Sequence, residues 1–236
     1  MENEQAVLVT PVLQAINIER EFEMGGTVVK ALKGVELSVQ PKQLMALKGR
    51  SGSGKTTLLN IMGGLDLPTA GKVMFQEKEI SSLSEDDRTL IRRSQFGFIF
   101  QSFALMPLLS AEENVELSMR LAGLPRDQWK ERVAECLELV GLTGRKKHRP
   151  FEMSGGEQQR VAIARAIAHK PTLILADEPT AELDSRMGFQ VMQLFRKLIE
   201  QEDITICMTT HDPAIMEVAD CVYAMVDGKL IQEEAG

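Results

Sequence analysis

One short glycine-rich segment constrains the fold of this chain more than any other feature. Residues 49–57 read Gly-Arg-Ser-Gly-Ser-Gly-Lys-Thr-Thr, which fits the spacing G-x-x-x-x-G-K-[ST] of a phosphate-binding loop. Its glycines let the backbone curl until successive N–H groups point at anionic oxygens. The apolar run 44–47 before the loop suits a buried strand, and residues 57–62 after it form a helical pattern. This order predicts a nucleotide phosphate site at the positive end of a helix.

The residue types in the loop match the chemistry of a bound nucleoside triphosphate. Lys55 brings a positive charge to the β- and γ-phosphates, Thr56 offers a hydroxyl to Mg²⁺, and Thr57 can hold the α-phosphate. A dinucleotide-binding loop fits less well, because position 57 is threonine where G-x-G-x-x-G requires its third glycine. The other expected nucleotide contacts come from the small residues of the loop, which are Gly49, Ser51, Gly52, Ser53 and Gly54.

Composition and charge argue against several classes of function. The 236 residues carry a net charge of −7, whereas binding to the nucleic-acid backbone needs clustered lysine and arginine. No apolar run approaches the roughly 20 residues that span a bilayer, and the acidic residues at the start of the chain do not fit a secretory signal peptide. Three scattered cysteines favour reduced thiols. We therefore expect a cytoplasmic protein that does not have nucleic acid as a partner.

Apolar periodicity places the loop in an α/β fold. The alternating segments 28–32 and 35–39, together with 12–18 and 73–75, predict a small antiparallel sheet. Continuous apolar runs, as at 173–176, are typical of parallel strands covered on both faces. Helices are expected at 84–95, 126–140, 154–168 and 185–199. We divide one domain, residues 1–236, into a nucleotide-binding core with the antiparallel sheet (12–95 and 158–236) and an inserted helical subdomain (96–157).

Two acidic residues follow the apolar run 173–176. Asp177 can supply a carboxylate for Mg²⁺, usually through water, and Glu178 is expected to point the opposite way along an extended chain. In that position Glu178 can polarise a water for attack on the γ-phosphate. A solvated acidic pair at a strand end is the alternative, and it would be preferred if the phosphate-binding loop were absent.

A second glycine-rich turn at a helix start, residues 154–158, provides another anion site. With this turn, the ordered motifs of almost the whole chain resemble the ATP-binding cassette family. Residues 49–57 resemble its Walker A loop, 153–158 its signature and 173–177 its Walker B segment. Single positions that resemble family motifs are Gln101 of the Q-loop, the catalytic glutamate Glu178, the D-loop residue Asp184, the switch histidine His211, and Phe22, which sits where the family places an aromatic ring against adenine.

The resemblance implies an ATPase with a RecA-like P-loop core and with ATP and Mg²⁺ as cofactors. Catalysis would involve Glu178, His211 and Gln101, and the metal would be held by Thr56, Gln101 and Asp177. In a head-to-tail dimer with a second copy of the chain, the signature of one subunit would cap the ATP held by Lys55 of the other. The signature residues expected at the nucleotide are Ser154, Gly155, Gly156 and Glu157.

Within the family, residues 63–66 and 175–180 resemble the branch that contains the lipoprotein-release, macrolide-export and cell-division ATPases. The chain departs from the family pattern at four places without removing a catalytic group. Residues 41–43 read Pro-Lys-Gln where Gly-Glu is common. Met153 replaces the usual leucine of the signature, and Phe22 replaces the commoner tyrosine. Glu182 replaces a small or amide residue of the D-loop, where the family has a subunit contact.

The segment after Gln101, residues 102–109, is unusually apolar for a loop. Either it packs into its own subdomain, or it lines a groove that receives a short helix of an integral membrane permease. The second interpretation places the chain on the cytoplasmic face of a membrane.

Two functions fit the motif set equally well. The chain is either the ATPase of a transporter, exporting or extracting a lipoprotein, peptide or drug, or a mechanical or regulatory ATPase bound to a membrane partner that moves no cargo. A cassette protein acting on DNA or ribosomes is disfavoured by the acidic charge and by the absence of a coiled-coil insertion. A kinase is disfavoured because no acceptor-binding segment is evident.

Overall fold

Two β-sheets frame the fold in the computed structural model, which describes residues 10–212 and 216–231. The strands are β1 (Leu13–Met24), β2 (Thr27–Val39), β3 (Leu44–Lys48), β4 (Ala70–Phe75), β5 (Lys78–Glu79), β6 (Phe96–Ile99), β7 (Leu173–Ala176), β8 (Thr205–Thr210), β9 (Cys221–Val226) and β10 (Lys229–Ile231). The antiparallel sheet has the order β2-β1-β4-β5. The other sheet has the order β10-β9-β3-β8-β7-β6 and is parallel except for the hairpin β9–β10.

The helices connect and cover these sheets. They are α1 (Lys55–Met62), α2 (Glu85–Gln95), α3 (Ala111–Ala122), α4 (Trp129–Leu139), α5 (Gly155–Ile167) and α6 (Ser185–Glu202). Ser84 caps α2 as its sequence predicts: its hydroxyl accepts a hydrogen bond from the N–H of Asp87. The predicted helix 126–140 begins with a 3₁₀ turn, Arg126–Gln128, before α4.

The central strands are buried on both faces, which confirms the expectation of a covered parallel sheet. In β3, Leu44 and Ala46 pack with the helical layer that contains α5 and α6, while Met45 and Leu47 pack toward α1 and the antiparallel sheet. All four side chains are fully buried. This alternation follows from the two-residue period of a strand. Because β3 lies between β9 and β8, its end lies in the middle of the parallel sheet.

The structure moves two boundaries that the sequence predicts. The strand predicted at 12–18 continues as β1 to Met24, and only the turn at Gly25 and Gly26 separates it from β2. The helical subdomain was expected to begin at residue 96. Because β6 pairs with β7 at the edge of the parallel sheet, we propose that this subdomain begins after Ile99.

Arg132 of α4 ties the helical subdomain to the core. Its guanidinium group donates to the carbonyl oxygens of Ile167 (2.9 Å) and Ala168 (3.2 Å) and to a carboxylate oxygen of Glu202 (2.8 Å). Arg132 is only 6% exposed. It also pairs with Glu135, whose side chain is half exposed.

Replacing Arg132 with methionine should lower the free energy of unfolding by about 3 kcal/mol, because Glu202 and two carbonyl groups would lose their partner in a buried place. Urea denaturation followed by circular dichroism measures the change. Glu135→Gln removes only the exposed partner and should cost less than about 1 kcal/mol. Equal losses in the two variants would contradict a role for the buried pair.

Candidate nucleotide-binding site

The glycine-rich loop leaves the parallel sheet at its middle. Strand β3, which precedes the loop, pairs with β8 on one side and with β9 on the other. Ligands of open α/β sheets bind at the carboxyl ends of such strands. Gly54 then forms the N-cap of α1 with φ 107°, a left-handed value that glycine adopts without crowding. The loop is therefore built where a phosphate group can meet the start of a helix.

Close main-chain contacts fix the path of the loop. A Cβ atom placed on Gly49 would lie 2.4 Å from the carbonyl oxygen of Met225, and one on Gly54 would lie 2.8 Å from that of Ala31. Both distances are far shorter than a non-bonded carbon–oxygen contact, and neither carbonyl can rotate away as a side chain would. Strands β9 and β2 thus require glycine at these two positions.

Backbone hydrogen bonds continue this support. The N–H of Gly228, in the β9–β10 turn, donates to the carbonyl oxygen of Ser53 (3.0 Å), and the N–H of Lys33 donates to the carbonyl oxygen of Gly228 (2.9 Å). Ser53 is 6% exposed, and its hydroxyl has no hydrogen-bond partner among the described residues. The loop therefore holds a buried polar group that a phosphate oxygen could satisfy.

Lys55 lies inside the curl of the loop. Its side chain is only 5% exposed, and its ammonium group donates to the carbonyl oxygens of Gly49 (2.8 Å) and Arg50 (3.3 Å). A carboxylate oxygen of Glu178 lies 3.6 Å from the same nitrogen. The positive charge is thus held at the place where the phosphates of a nucleotide are expected.

Asp177 follows β7, next to the loop. One of its carboxylate oxygens accepts hydrogen bonds from the hydroxyl groups of Thr56 (3.1 Å) and Thr209 (2.7 Å). Thr56 and Asp177 were predicted to share a metal ion, and the structure brings their oxygens together. A hydroxyl and a carboxylate oxygen are ligands of the type that Mg²⁺ takes, so this donor pair fits the predicted metal.

Glu178 differs from the expected geometry. It was predicted to be extended, but its φ of 44° lies in the left-handed region. The chain turns there because β7 has ended, and the N–H of Glu178 donates to the hydroxyl oxygen of Thr209 (2.8 Å). In this conformation the Glu178 carboxylate meets Nδ1 of His211 at 3.1 Å. The structure thus brings together Glu178 and His211, which were each predicted to take part in catalysis.

Thr209 is a site residue that the sequence reasoning missed. It bonds both Asp177 and Glu178, and so it fixes the two acidic residues relative to each other. Thr209 lies within β8, which ends at Thr210. Two consecutive threonines at the end of an apolar run are the sequence signal that could have identified Thr209.

Gln101 follows β6 at the same edge of the sheet. Its amide nitrogen lies 3.4 Å from a carboxylate oxygen of Glu182 and donates to it. Gln101 lines an open cavity of about 590 Å³ together with residues of the loop, Glu178 and His211. Its lining includes Arg50, Ser51, Gly52, Gly54, Lys55, Thr56, Thr57, Gln101, Glu178 and His211.

The signature residues 154–157 lie outside this cavity, at the start of α5. Ser154 caps α5 in a reciprocal arrangement with Glu157, in which the N–H of Ser154 donates to the Glu157 carboxylate (2.9 Å). That backbone hydrogen bond is the main reason why the pKa of Glu157 falls below its usual value. Gly155 lies near the carbonyl oxygen of Glu182. None of the described residues 154–157 lines the cavity beside Lys55.

Asp184 and Phe22 are the other two residues predicted to contact the nucleotide. Asp184 caps α6, since its carboxylate accepts from the N–H of Met187 (2.9 Å). Phe22 lies in β1 opposite Val29, and the guanidinium carbon of Arg20 is 4.5 Å from its ring centroid. Phe22 does not line the cavity beside the loop, and its predicted contact with adenine stays a prediction.

The central glycine loop, the buried lysine and the polar groups at the carboxyl edge of a parallel sheet place the chain among the P-loop nucleoside triphosphatases. A model of the ABC transporter family matches residues 32–181. The chain belongs to this family.

Named relatives agree with this assignment. An uncharacterized ABC transporter ATP-binding protein of Thermotoga maritima is 44% identical over 93% of each chain. The lipoprotein-releasing system ATP-binding protein LolD of Saccharophagus degradans is 40% identical over 94% of this chain and 97% of its own. The macrolide export ATP-binding/permease protein MacB of Wolinella succinogenes is 44% identical, but the chain spans only 35% of its length.

The solved structures show the same likeness. The ATP-binding cassette MJ0796, a protein of Methanocaldococcus jannaschii, matches with a TM-score of 0.87 and 40% identity over 94% of this chain and 97% of its own. It is described as dimeric in a post-hydrolysis state bound to ADP and Pi. The predicted fold class and the family resemblance are thereby confirmed. The chain is the ATP-binding, ATP-hydrolysing component of an ABC transporter.

Among the described residues, no helix combines the length and apolarity that crossing a membrane requires.

We expect Thr209→Val to lower the maximal ATPase rate by about 10- to 100-fold, since the acidic pair would lose the hydroxyl group that orders it. Thr209→Ser keeps that hydroxyl and should retain most of the activity. Steady-state ATP hydrolysis at saturating ATP, with melting temperatures to verify folding, distinguishes them. If valine and serine behave alike, the hydroxyl has no part in the reaction.

Proposed function

We propose that this chain hydrolyses ATP in a Mg²⁺-dependent reaction on the cytoplasmic face of a membrane, at a site completed by a second copy of the chain. The observation that carries this proposal is the contact of Asp177 with Thr56 and of Glu178 with His211 beside the buried Lys55. A cation that can bind phosphate, two oxygens that can bind a metal and a carboxylate that can polarise water therefore lie side by side. These are the groups that phosphoryl transfer to water requires.

Each residue has a defined task in this reaction. Lys55 and the loop N–H groups bind the β- and γ-phosphates, while Thr56, Asp177 and Gln101 hold Mg²⁺. When bound, Mg²⁺ neutralises charge that develops on the phosphate oxygens. Glu178 orients the attacking water, and His211 keeps the Glu178 carboxylate in position through its 3.1 Å contact.

The signature has to act on a different nucleotide. Ser154 and the N–H groups of Gly155 and Gly156 form the start of α5, where an anion is stabilised by the helix dipole. They lie outside the cavity beside Lys55, which supports a role for them at the γ-phosphate of the nucleotide held by a second subunit. The dimeric structure described for MJ0796 supports this arrangement. Two ATP molecules would then be held between two head-to-tail subunits.

An apolar groove of about 510 Å³ is the proposed docking place for the membrane permease. Phe98 and Phe100 stack within it, with their ring centroids 6.0 Å apart, and Ala104 and Met106 of the segment after Gln101 line its edge. Leu105 instead packs against the buried cluster that the helices form with one face of the parallel sheet. Part of the segment therefore packs into the protein, and another part lines a groove that a permease could occupy. Occupation of the groove can be transmitted to Gln101 through this short segment.

The named relatives favour transport over a purely mechanical function. LolD is described as part of a lipoprotein-releasing system, and MacB as a macrolide exporter. We therefore propose that the permease partner exports or extracts a lipoprotein, peptide or drug-like molecule.

Glu178→Gln should reduce ATP hydrolysis by at least about 100-fold, because a neutral amide cannot orient and polarise the water as a carboxylate does. The variant should still bind ATP and should form a dimer that size-exclusion chromatography detects with ATP and Mg²⁺ present. ATP hydrolysis assays and the elution volume together test both halves of the proposal.

The matched control is Glu200→Gln, which neutralises an exposed glutamate of α6 far from the loop. It should hydrolyse ATP as the unmodified chain does. A Glu178→Gln protein that stays monomeric with ATP and Mg²⁺ would speak against the shared site, and one that still hydrolyses ATP would remove Glu178 from the reaction.

Met106→Glu should abolish the stimulation of ATP hydrolysis by a co-reconstituted permease while sparing hydrolysis by the isolated subunit, because a carboxylate in the apolar groove opposes docking. Leu108→Glu is the control, since Leu108 is 77% exposed in the same segment but does not line the groove. Stimulation lost equally in both variants would rule out the groove as the specific docking place.

A further inference from the structure

The segment after Gln101 is held in an unusual backbone conformation. Phe103 has a φ of 62° and Ala104 a φ of 49°, so two consecutive residues with side chains occupy the left-handed region. The Cβ atom is crowded by the backbone in this region, which only glycine adopts freely. Conformations of this kind persist where surrounding contacts hold them. The structure must therefore contain a group that holds residues 103 and 104.

Arg165 of α5 is that group. Its guanidinium donates to the carbonyl oxygens of both Phe103 (2.9 Å) and Ala104. The planar fork of an arginine side chain suits two adjacent acceptors. The helix is itself anchored at this point, because the hydroxyl of Ser118 donates to the Arg165 carbonyl oxygen (2.7 Å). The strained pair is thus attached to a fixed element.

The same segment sets the position of Gln101. The N–H of Phe103 donates to the carbonyl oxygen of Phe100 (3.0 Å), which closes a four-residue turn with Gln101 at its second position. Gln101 projects from this turn and lines the cavity with Lys55 and Thr56. If residues 103 and 104 relax to ordinary φ values, the turn must change and Gln101 must move with it.

We propose that Arg165 is a positioning residue for Gln101. By holding Phe103 and Ala104 in the left-handed region, it keeps the Gln101 amide at the metal side of the cavity. This inference rests on the proposed role of Gln101 in Mg²⁺ binding. Because the signature residue Ser154 caps α5, Arg165 also fixes the Gln101 turn to the helix that carries the signature.

The test uses Arg165→Met, which keeps the length of the side chain and removes its donors. The Mg²⁺ concentration that gives half-maximal ATP hydrolysis should rise by about tenfold, the usual scale for loss of a group that orients a metal ligand. The dissociation constant of Mg²⁺, measured by titration calorimetry with a non-hydrolysable ATP analogue bound, should rise by the same factor. Ala104→Gly in the same chain should restore most of the Mg²⁺ affinity, because glycine adopts a positive φ without the crowding that Arg165 opposes. A purely structural role of Arg165 would not be corrected by this glycine.

Ser102→Gly is the matched control for the rescue. It adds the same flexibility to the same turn, but Ser102 is not among the residues with positive φ, so it should restore nothing. Arg165→Lys, which retains the charge and loses the fork, should give an intermediate Mg²⁺ requirement and serves if the methionine variant does not fold. An unchanged Mg²⁺ requirement in the Arg165 variants, or equal rescue by both glycines, would overturn the proposal.

Gln101→Ala separates this inference from the proposed function. Its Mg²⁺ requirement should be raised, and adding Arg165→Met to it should raise the requirement no further. Additive effects would show that Arg165 acts independently of Gln101 and would overturn the inference alone. A Gln101→Ala protein with the original Mg²⁺ requirement would overturn both the role of Gln101 and the inference.

Discussion

The buried ammonium group of Lys55 is the interaction on which the rest of the site depends. A buried charge must be satisfied by polar partners, and the carbonyl oxygens of Gly49 and Arg50 provide them within the loop itself. The loop can curl around the lysine only because two glycines lie against the main chains of β2 and β9. The antiparallel sheet and the β9–β10 hairpin are therefore part of the phosphate site, although they carry no predicted catalytic group.

The second half of the site is organised by one hydroxyl group. Thr209 joins Asp177 to Glu178, and through them the ends of β7 and β8 are fixed next to the loop that follows β3. Gln101 reaches the same cavity from the end of β6. Four neighbouring strands thus end at one place, while the signature starts a helix outside this cavity. In the proposed mechanism, a single subunit holds the nucleotide and the water-activating groups, and its partner covers the other side of the nucleotide.

Sequence reasoning identified most of this arrangement, because glycine spacing, buried apolar runs and helix caps are local signals. The strand, loop and helix of residues 44–62 and the helix that begins after Ser154 could be predicted for that reason. It failed where the conformation is imposed by distant parts of the chain. The left-handed backbone of Glu178, Phe103 and Ala104 has no local signal, and the pairing of β6 with β7 joins segments far apart in sequence. Thr209 acquires its role only when β8 lies beside β7.

The main-chain contacts that hold the phosphate-binding loop limit which changes of sequence the neighbouring strands can accept. Ala31 and Met225 contact the loop through their carbonyl oxygens, atoms that every amino acid possesses. A residue exchange in β2 or β9 leaves these atoms in place, whereas inserting or deleting one residue would shift all of them at once. The surroundings of the loop can therefore diverge widely in composition while their lengths stay fixed.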